Sequence, residues 1–304
     1  MSGRGVVGGV RLKLPATSAN LGPGFDAVGL ALTMHLTVEA WPAEEWSIEA
    51  TGRDAEMCGR VDGNLLVDTY KDVLARAGVD GPALRLAIRN EIPLGMGCGS
   101  SAAALLAGVA LAGHFGQLRL EDADIVREAG RREGHPDNVA ACWYGGFTVS
   151  AEVNGCVEAA TFAGSTGWQM VLAMQRVPLA TTEARALLPG SYSRADVVFN
   201  VQRAALLTAA LAQGRLDLLR VAMEDRLHQP YRENACSLLK KLLPLMKEAE
   251  IAGVALSGAG PSVLVVLAEE TTLLAAETRI AELVGDGVEV VPVRIAEGAS
   301  KVLL

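Results

Sequence analysis

Cysteine is scarce in this sequence: five in 304 residues (Cys58, Cys98, Cys142, Cys156 and Cys236), odd in number and without a C-x-x-C spacing. That argues against a disulfide framework and for reduced thiols in a cytoplasmic protein. Basic charge is short as well. The 27 Lys and Arg against 35 Asp and Glu leave a net charge of −8, which gives no general attraction to nucleic acid or to an anionic membrane. No apolar run is long; the longest, 102–113, falls well short of the roughly 18–20 residues that cross a bilayer. The opening MSGRGVVGGVRLKL has no apolar stretch of signal type before the first proline, so a secretory signal is not expected. Internal repeats, low-complexity tracts and charged tails are missing too. What is present is a chain half apolar and one-fifth charged, which is globular in composition. Its length suits one large domain or two fused halves.

The periodicities predict strands over 10–15, 30–39, 45–50 and 83–89. The last shows Leu84, Leu86 and Ile88 alternating with Arg85 and Arg89. Helices are predicted over 64–77, ending before Gly78, over 100–115 and over 122–133. ATSANLGPGFDAVG, after the first strand, reads as a turn-rich loop. Residues 145–153 return to strand, and a composition shift near 161–167 marks a domain boundary. The second half is read as a strand at 169–175, then helices near 182–188, 195–213 and 236–248, with Pro244 bending the last. Two short strands flank the turn in VALSGAGPSVLVVLAEE, and a helix over 272–284 and a strand over 288–295 close the chain. Strands and helices interleave without strict βαβ alternation, so the fold class is α+β with two domains, residues 1–162 and 163–304.

Three loops share one vocabulary: TSANLGPGFD (17–26), PLGMGCGSS (93–101) and LSGAGPS (256–262). The middle one lacks the lysine of G-x-x-x-x-G-K-[ST], and its spacing is not that of the dinucleotide fingerprint. It leads a run of backbone N–H groups, unobstructed by Cβ atoms, into a helix N-terminus, where the helix dipole favours an anion. Ser100 and Ser101 add hydroxyls for phosphate or Mg²⁺, and either is placed to cap the helix. Taken alone, the loop also reads as an ordinary strand-to-helix turn with a serine cap.

With all three loops in view, IPLGMGCGSSAA (92–103) resembles the ATP-binding signature of the GHMP kinases, with Cys98 where Leu or Met is usual. PATSANLGPGFDAVGLAL (15–32) and EGHPDNVA (133–140) resemble the homoserine kinase family within that superfamily, and LSGAGPS resembles its third motif. The resemblance runs in order from residue 12 to about 265. It implies ATP-dependent phosphorylation of the side-chain hydroxyl of L-homoserine, giving O-phospho-L-homoserine for threonine synthesis, with ATP and Mg²⁺ as cofactors. The implied fold is an N-terminal ATP-binding domain like the second domain of ribosomal protein S5 and a ferredoxin-like C-terminal domain, with the site between them. L-homoserine and ATP are the implied partners, with neither nucleic acid nor membrane among them; a homodimer is open to it.

By this resemblance Pro93, Leu94, Gly95, Met96, Gly97, Cys98, Gly99, Ser100, Ser101, Ala102 and Ala103 line the nucleotide, with Asn64 near the adenine or simply capping its helix. Ser101 is an implied Mg²⁺ ligand. A carboxylate must complete such a shell, and Glu133 is the choice over Glu128, little more than one turn away. Homoserine is a zwitterion, so its pocket needs both charges. Asn20 and Asp26 match family positions for the hydroxyl and amino ends. Arg185 and Arg232 match those that fork the carboxylate. Thr181 lies near them, and His135 is either a substrate contact or a structural hydrogen-bonder. Asn138 stands where sugar and mevalonate members have an aspartate. An amide orients a hydroxyl but takes no proton, so catalysis without a side-chain base is expected. Asp137 is the alternative base, or a brace for its loop. A sibling kinase for another alcohol and a non-catalytic sensor are the competing readings; a sensor has no need of a metal shell.

Overall fold

In the computed structural model, which describes residues 8–162, 167–175, 177, 181–269 and 271–304, the strands fall into two sheets. Along the chain they are β1 (Val10–Ala19), β2 (Val28–Ala43), β3 (Ser47–Gly52), β4 (Ala83–Asn90), β5 (Phe147–Val153) and β6 (Cys156–Phe162). After these come β7 (Met170–Gln175), β8 (Ile251–Leu256), β9 (Val263–Leu267), β10 (Val288–Val293) and β11 (Ser300–Leu303). The first sheet runs β11-β1-β2-β4-β3, with β5 on the other end of β2 and β6 on β5; β3 and β4 pair in parallel and the rest antiparallel. The second sheet, β10-β7-β9-β8, is antiparallel throughout. The first long strands are recognisable by alternation: Leu36, Val38 and Ala40 of β2 are buried while the residues between them are partly open. The second sheet has no such alternation because both its faces are covered. Met170, Leu172 and Met174 enter the core shared with the first sheet, and Val171 and Ala173 enter a second core against the helices Ser237–Leu242 and Leu273–Val284.

Several sequence expectations need correction. The first strand does not stop at residue 15. It continues through 16–19 after a register shift between Pro15 and Ala16, and Thr17 and Ser18 are fully buried. Polar residues that read as a turn are here the inner end of a strand. The helix Asp137–Tyr144 and the hairpin strand β6 were not anticipated, and GHPDN proved to be the entry to a helix rather than only a loop. The 236–248 helix is an α-helix only over Ser237–Leu242 and tightens to a 3₁₀ turn over Leu243–Lys247, with Pro244 at its start. The last strand, β11, returns to the first sheet beside β1. The proposed boundary between 162 and 163 adjoins residues 163–166, which lie outside the described residues.

Two helices are apolar enough to need a physical account. Ser100–Phe115 is apolar on nearly every side and correspondingly buried, from Ala102 through Ala112 except for Ala104. Arg194–Gln213 is, by length and composition, long and apolar enough to cross a bilayer. It is instead fastened to the protein: Asn200 donates from Nδ2 to the Pro23 carbonyl at 3.2 Å and accepts from the Arg226 amide at 2.8 Å.

Candidate active site

The three glycine loops converge on one cleft and are tied together by their backbones. Gly95, Gly97 and Gly99 all take positive φ (69°, 72° and 70°). A Cβ on Gly97 would lie 2.2 Å from the Ser257 carbonyl oxygen. That close approach lets the Ser257 hydroxyl donate to the Gly97 carbonyl at 2.8 Å. The amide of Thr17 donates to the Cys98 carbonyl at 3.0 Å, and that of Gly258 to the Ala19 carbonyl at 3.1 Å. Asn20 completes the lacing, donating from Nδ2 to the Gly258 carbonyl at 2.9 Å and accepting from the Asp26 amide at 3.0 Å. Asn20 and Asp26 hold φ of 69° and 54°, a left-handed conformation that Asn and Asp tolerate better than most side chains.

The helix after the middle loop is not capped by either serine. Gly99 is its N-cap, no side chain accepts from the first turn, and Ser100 and Ser101 are its first residues. The first-turn N–H groups are therefore left for a ligand. Ala102 and Ala103, read as nucleotide-lining, have fully buried side chains in the core, so only their backbone can face a phosphate. The cleft, of about 590 Å³, takes Asn20, Asp26, Gly95, Gly97, Cys98, Gly99, Ser100, Ser101, Glu133, His135, Asn138, Thr181, Arg185 and Arg232 into its walls. Pro93, Leu94 and Met96 stand on an adjoining hollow beside Arg53 and Met57. Asn64 lines an apolar pocket with Leu36, Ile88, Ile92 and Leu94, but its amide is occupied. It caps its helix through the Leu66 amide at 3.1 Å and donates to the Cys58 and Arg60 carbonyls, both at 3.0 Å.

Charge in the cleft is arranged by burial. The Ser101 hydroxyl donates to Glu133 Oε1 at 2.6 Å. Burial raises the Glu133 pKa and nearby Asp137 adds to the rise, while the Ser101 bond and His135 oppose it. Glu128 is turned elsewhere: Arg132 holds it at 2.7 Å and Arg131 at 3.3 Å. Asp137 is 2% exposed, and its Oδ1 serves His135 Nδ1 at 3.0 Å, the Asn138 amide at 2.7 Å and Asn138 Nδ2 at 3.3 Å. Although burial lowers the His135 pKa, the bond to Asp137 and the charges of Asp137, Glu133 and Asp26 raise it further, so the net shift is upward. Asn138 Oδ1 accepts from the Thr17 hydroxyl at 2.7 Å. The amide is thus fixed at both ends, and among the described residues Nδ2 has the one bond to Asp137, leaving its second proton available.

Across the cleft, Arg185 pairs with Asp26 at 2.7 Å, both partly open to solvent. Arg232 is 1% exposed, and among the described residues no carboxylate lies within 4.0 Å of it. Burial lowers its pKa and Arg185 lowers it further, against Asp26. Asp26 and Asp225 act on it only from beyond contact, so among the described residues this buried cation has no paired anion. Sequence reasoning missed Thr17, Phe25 and Asp54. Phe25 lies in the cleft wall, and Asp54 Oδ2 accepts from the Leu94 amide at 2.9 Å, holding the start of the phosphate loop. Thr17 and Phe25 were visible only as members of the first glycine motif; nothing in the pattern marked Asp54.

Two family models match the chain: GHMP kinases N terminal domain over residues 64–146, and GHMP kinases C terminal over residues 207–284. Fold and site thus define a GHMP kinase, an ATP-dependent phosphotransferase with a hydroxyl group as acceptor. The chain is 48% identical over 255 residues to a homoserine kinase of Solibacter usitatus, covering 84% of each. It is 41% identical over 266 residues to a homoserine kinase of Streptomyces coelicolor, covering 86% of this chain and 85% of that one. Among solved structures, homoserine kinase from Cytophaga hutchinsonii superposes with a TM-score of 0.79 over 99% of this chain and 100% of that one, a likeness of fold at 22% identity. The chain belongs to the homoserine kinase family.

Proposed function

We propose that this protein transfers the γ-phosphoryl group of ATP to the side-chain hydroxyl of L-homoserine. The products are ADP and O-phospho-L-homoserine, a step of threonine synthesis in the cytoplasm. The observation that carries the choice of substrate is the charge in the cleft: one carboxylate, Asp26, faces two guanidinium groups, of which Arg232 is buried without a carboxylate partner. A zwitterionic amino alcohol supplies the carboxylate that Arg232 lacks, and an ammonium group that can replace Arg185 on Asp26; a sugar or an isoprenoid alcohol does not supply the pair. Asp26 meets the ammonium group, and Arg185 and Arg232 fork the carboxylate. Asn20, Thr181 and His135 close the pocket around the hydroxyl-bearing arm.

The nucleotide lies along the first turn of the helix Ser100–Phe115, with the loop N–H groups on its phosphates and its base toward the apolar pocket beside Asn64. Ser101 and Glu133 fit Mg²⁺ as hard oxygen donors: they stand together, hydrogen-bonded at 2.6 Å in a partly exposed corner of the cleft, and would hold the ion with phosphate oxygens once that bond opens. When bound, it neutralises charge on the phosphates being separated. The chain's own residues do the rest by positioning. The free Nδ2 proton of Asn138 directs the acceptor oxygen at phosphorus, and loop N–H groups hold the three γ-oxygens. The new O–P bond forms as the β,γ-bridging bond breaks, and the hydroxyl proton passes late to a phosphoryl oxygen. In a loose transition state that order needs no side-chain base, and Asp137, whose Oδ1 takes three hydrogen bonds, braces the loop.

A coupled assay of ADP release over homoserine, serine, threonine, mevalonate and galactose tests the reading. Homoserine is expected to give the highest kcat/KM. A larger value for a neutral alcohol would reject the amino-acid pocket, and no release with any of them would favour a non-catalytic protein.

A further inference from the structure

Arg232 is held by groups that take no part in phosphoryl transfer. His228 is fully buried, and its Nε2 lies 2.7 Å from the Gly22 carbonyl oxygen. A carbonyl can only accept, so Nε2 bears the proton and Nδ1 keeps its lone pair. That lone pair accepts from Nη1 of Arg232 at 3.2 Å. The carbonyls of Ala184 and Gly258 accept from Nε and Nη1 at 3.2 and 3.3 Å. Burial lowers the His228 pKa; Asp225 opposes that and Arg232 adds to it, and the net result is the neutral imidazole this arrangement needs.

Phe25 adds a second constraint. Its ring stacks on His228 with centroids 5.3 Å apart, and it lies 5.4 Å from Cζ of Arg185 and 5.5 Å from Cζ of Arg232. A ring face attracts a guanidinium without competing for its N–H donors. One aromatic ring therefore brings together two like charges that otherwise repel, and one carbonyl-fixed imidazole sets the rotation of the buried member.

We propose that Phe25 and His228 form a positioning shelf that aims Arg185 and Arg232 at a single carboxylate, and so sets the preference for an α-amino acid over the same alcohol without its carboxylate. Neither residue touches the reacting atoms. The inference rests on the amino-acid reading of the site, and its test uses a substrate pair differing only in that group: L-homoserine and 3-amino-1-propanol. The second is assayed as a substrate or, where turnover is too slow, as a competitive inhibitor of the first. In Phe25→Leu the ratio of the two kcat/KM values (or of the two binding constants) is expected to drop about tenfold through KM for homoserine, with KM for ATP unchanged. His228→Leu should do the same, while His228→Asn, whose amide oxygen can stand in for Nδ1, recovers most of the ratio. Phe25→Tyr should resemble the unaltered protein. Equal losses on both compounds, or no change in the ratio in folded Phe25→Leu, would overturn the shelf. Phe25 lies in the cleft wall rather than the core, so that variant remains decisive where His228→Leu does not fold. Failure of the unaltered protein to phosphorylate homoserine would instead reject the substrate assignment.

Discussion

Arg232 illustrates how a single side chain can carry a specificity. A buried guanidinium costs stability unless it is neutralised, and in the proposed pocket the substrate carboxylate completes what Asp26 and Asp225 supply only from a distance. Arg232→Ala is expected to raise KM for homoserine by about tenfold to a hundredfold while KM for ATP stays within a small factor. Arg232→Lys should not restore it, because a flexible ammonium lacks the planar group that Ala184, His228 and Gly258 hold in place while Nη2 stays available. A selective loss of ATP affinity would move Arg232 out of the substrate pocket. Thr17 is the residue-scale counterpart on the catalytic side. Its hydroxyl fixes the Asn138 amide, so Thr17→Val should lower kcat toward the roughly 10²-fold loss that misplacement brings, as Asn138→Ala should. If Asp137 were a base, Asp137→Asn would lose the acidic limb of the kcat–pH profile, and the base-free mechanism would be wrong. Cys98 sits inside the phosphate loop, yet burial pushes its thiol up to about 12. Thiolate chemistry is suppressed there. Alkylation of the native protein at neutral pH should leave Cys98, Cys142 and Cys236 unmodified by mass spectrometry and spare activity.

The phosphate loop is the element on which these residues depend. Gly99 has a φ of 70°, and a Cβ there would lie 1.9 Å from Thr17 Oγ1. A side chain at 99 does more than obstruct the phosphate, because it also pushes away the hydroxyl that holds Asn138. Gly99→Val is therefore expected to abolish ATP binding and to cost about 1–3 kcal/mol of stability as well. Gly78 is the control: it has a similar φ of 64° with nothing within 4 Å, so Gly78→Ala should lower stability slightly and leave kinetics alone. Calorimetric titration of ATP and thermal melts of the two variants distinguish these outcomes. Unchanged nucleotide affinity in folded Gly99→Val would remove the loop from the nucleotide site.

At the scale of the molecule, the two sheets share a core. Met170, Leu172 and Leu264 of the second sheet pack in the same cluster as Leu12, Leu14 and Val38 of the first, and β11 carries the chain's end back to β1. Neither half can lose its packing without exposing the other's. Scanning calorimetry without ligand should accordingly show one unfolding transition, moved upward by ATP according to mass action. Two resolved transitions would show that the halves unfold independently. The ion pair of Arg53 with Glu289 also joins the sheets, but both groups are about a third exposed, so Arg53→Ala should cost no more than about 1 kcal/mol.

The sequence by itself determined the central glycine loop, its helix and the α+β class, because these rest on local rules: glycine where φ is positive, apolar residues at helical or strand spacing, and motifs in a fixed order. The resemblance to the homoserine kinase family also put forward both arginines, Asp26 and Glu133, and the fold gathers all four into one cleft. Other matters depended on what lies opposite in space. Only its place before GHPDN favours Glu133 over Glu128 in the sequence; in the fold Arg131 and Arg132 engage Glu128, and Ser101 meets Glu133. Thr17 and Ser18 look like turn residues until β2 is laid beside them and buries both. Asp54 and His228 have no local signature, and Phe25 has only its membership of the first glycine motif. The roles of Asp54, Phe25 and His228 arise from contacts 40, 160 and 206 residues away along the chain, to Leu94, Arg185 and Gly22, and only the closed tertiary structure brings such partners within hydrogen-bonding or stacking distance.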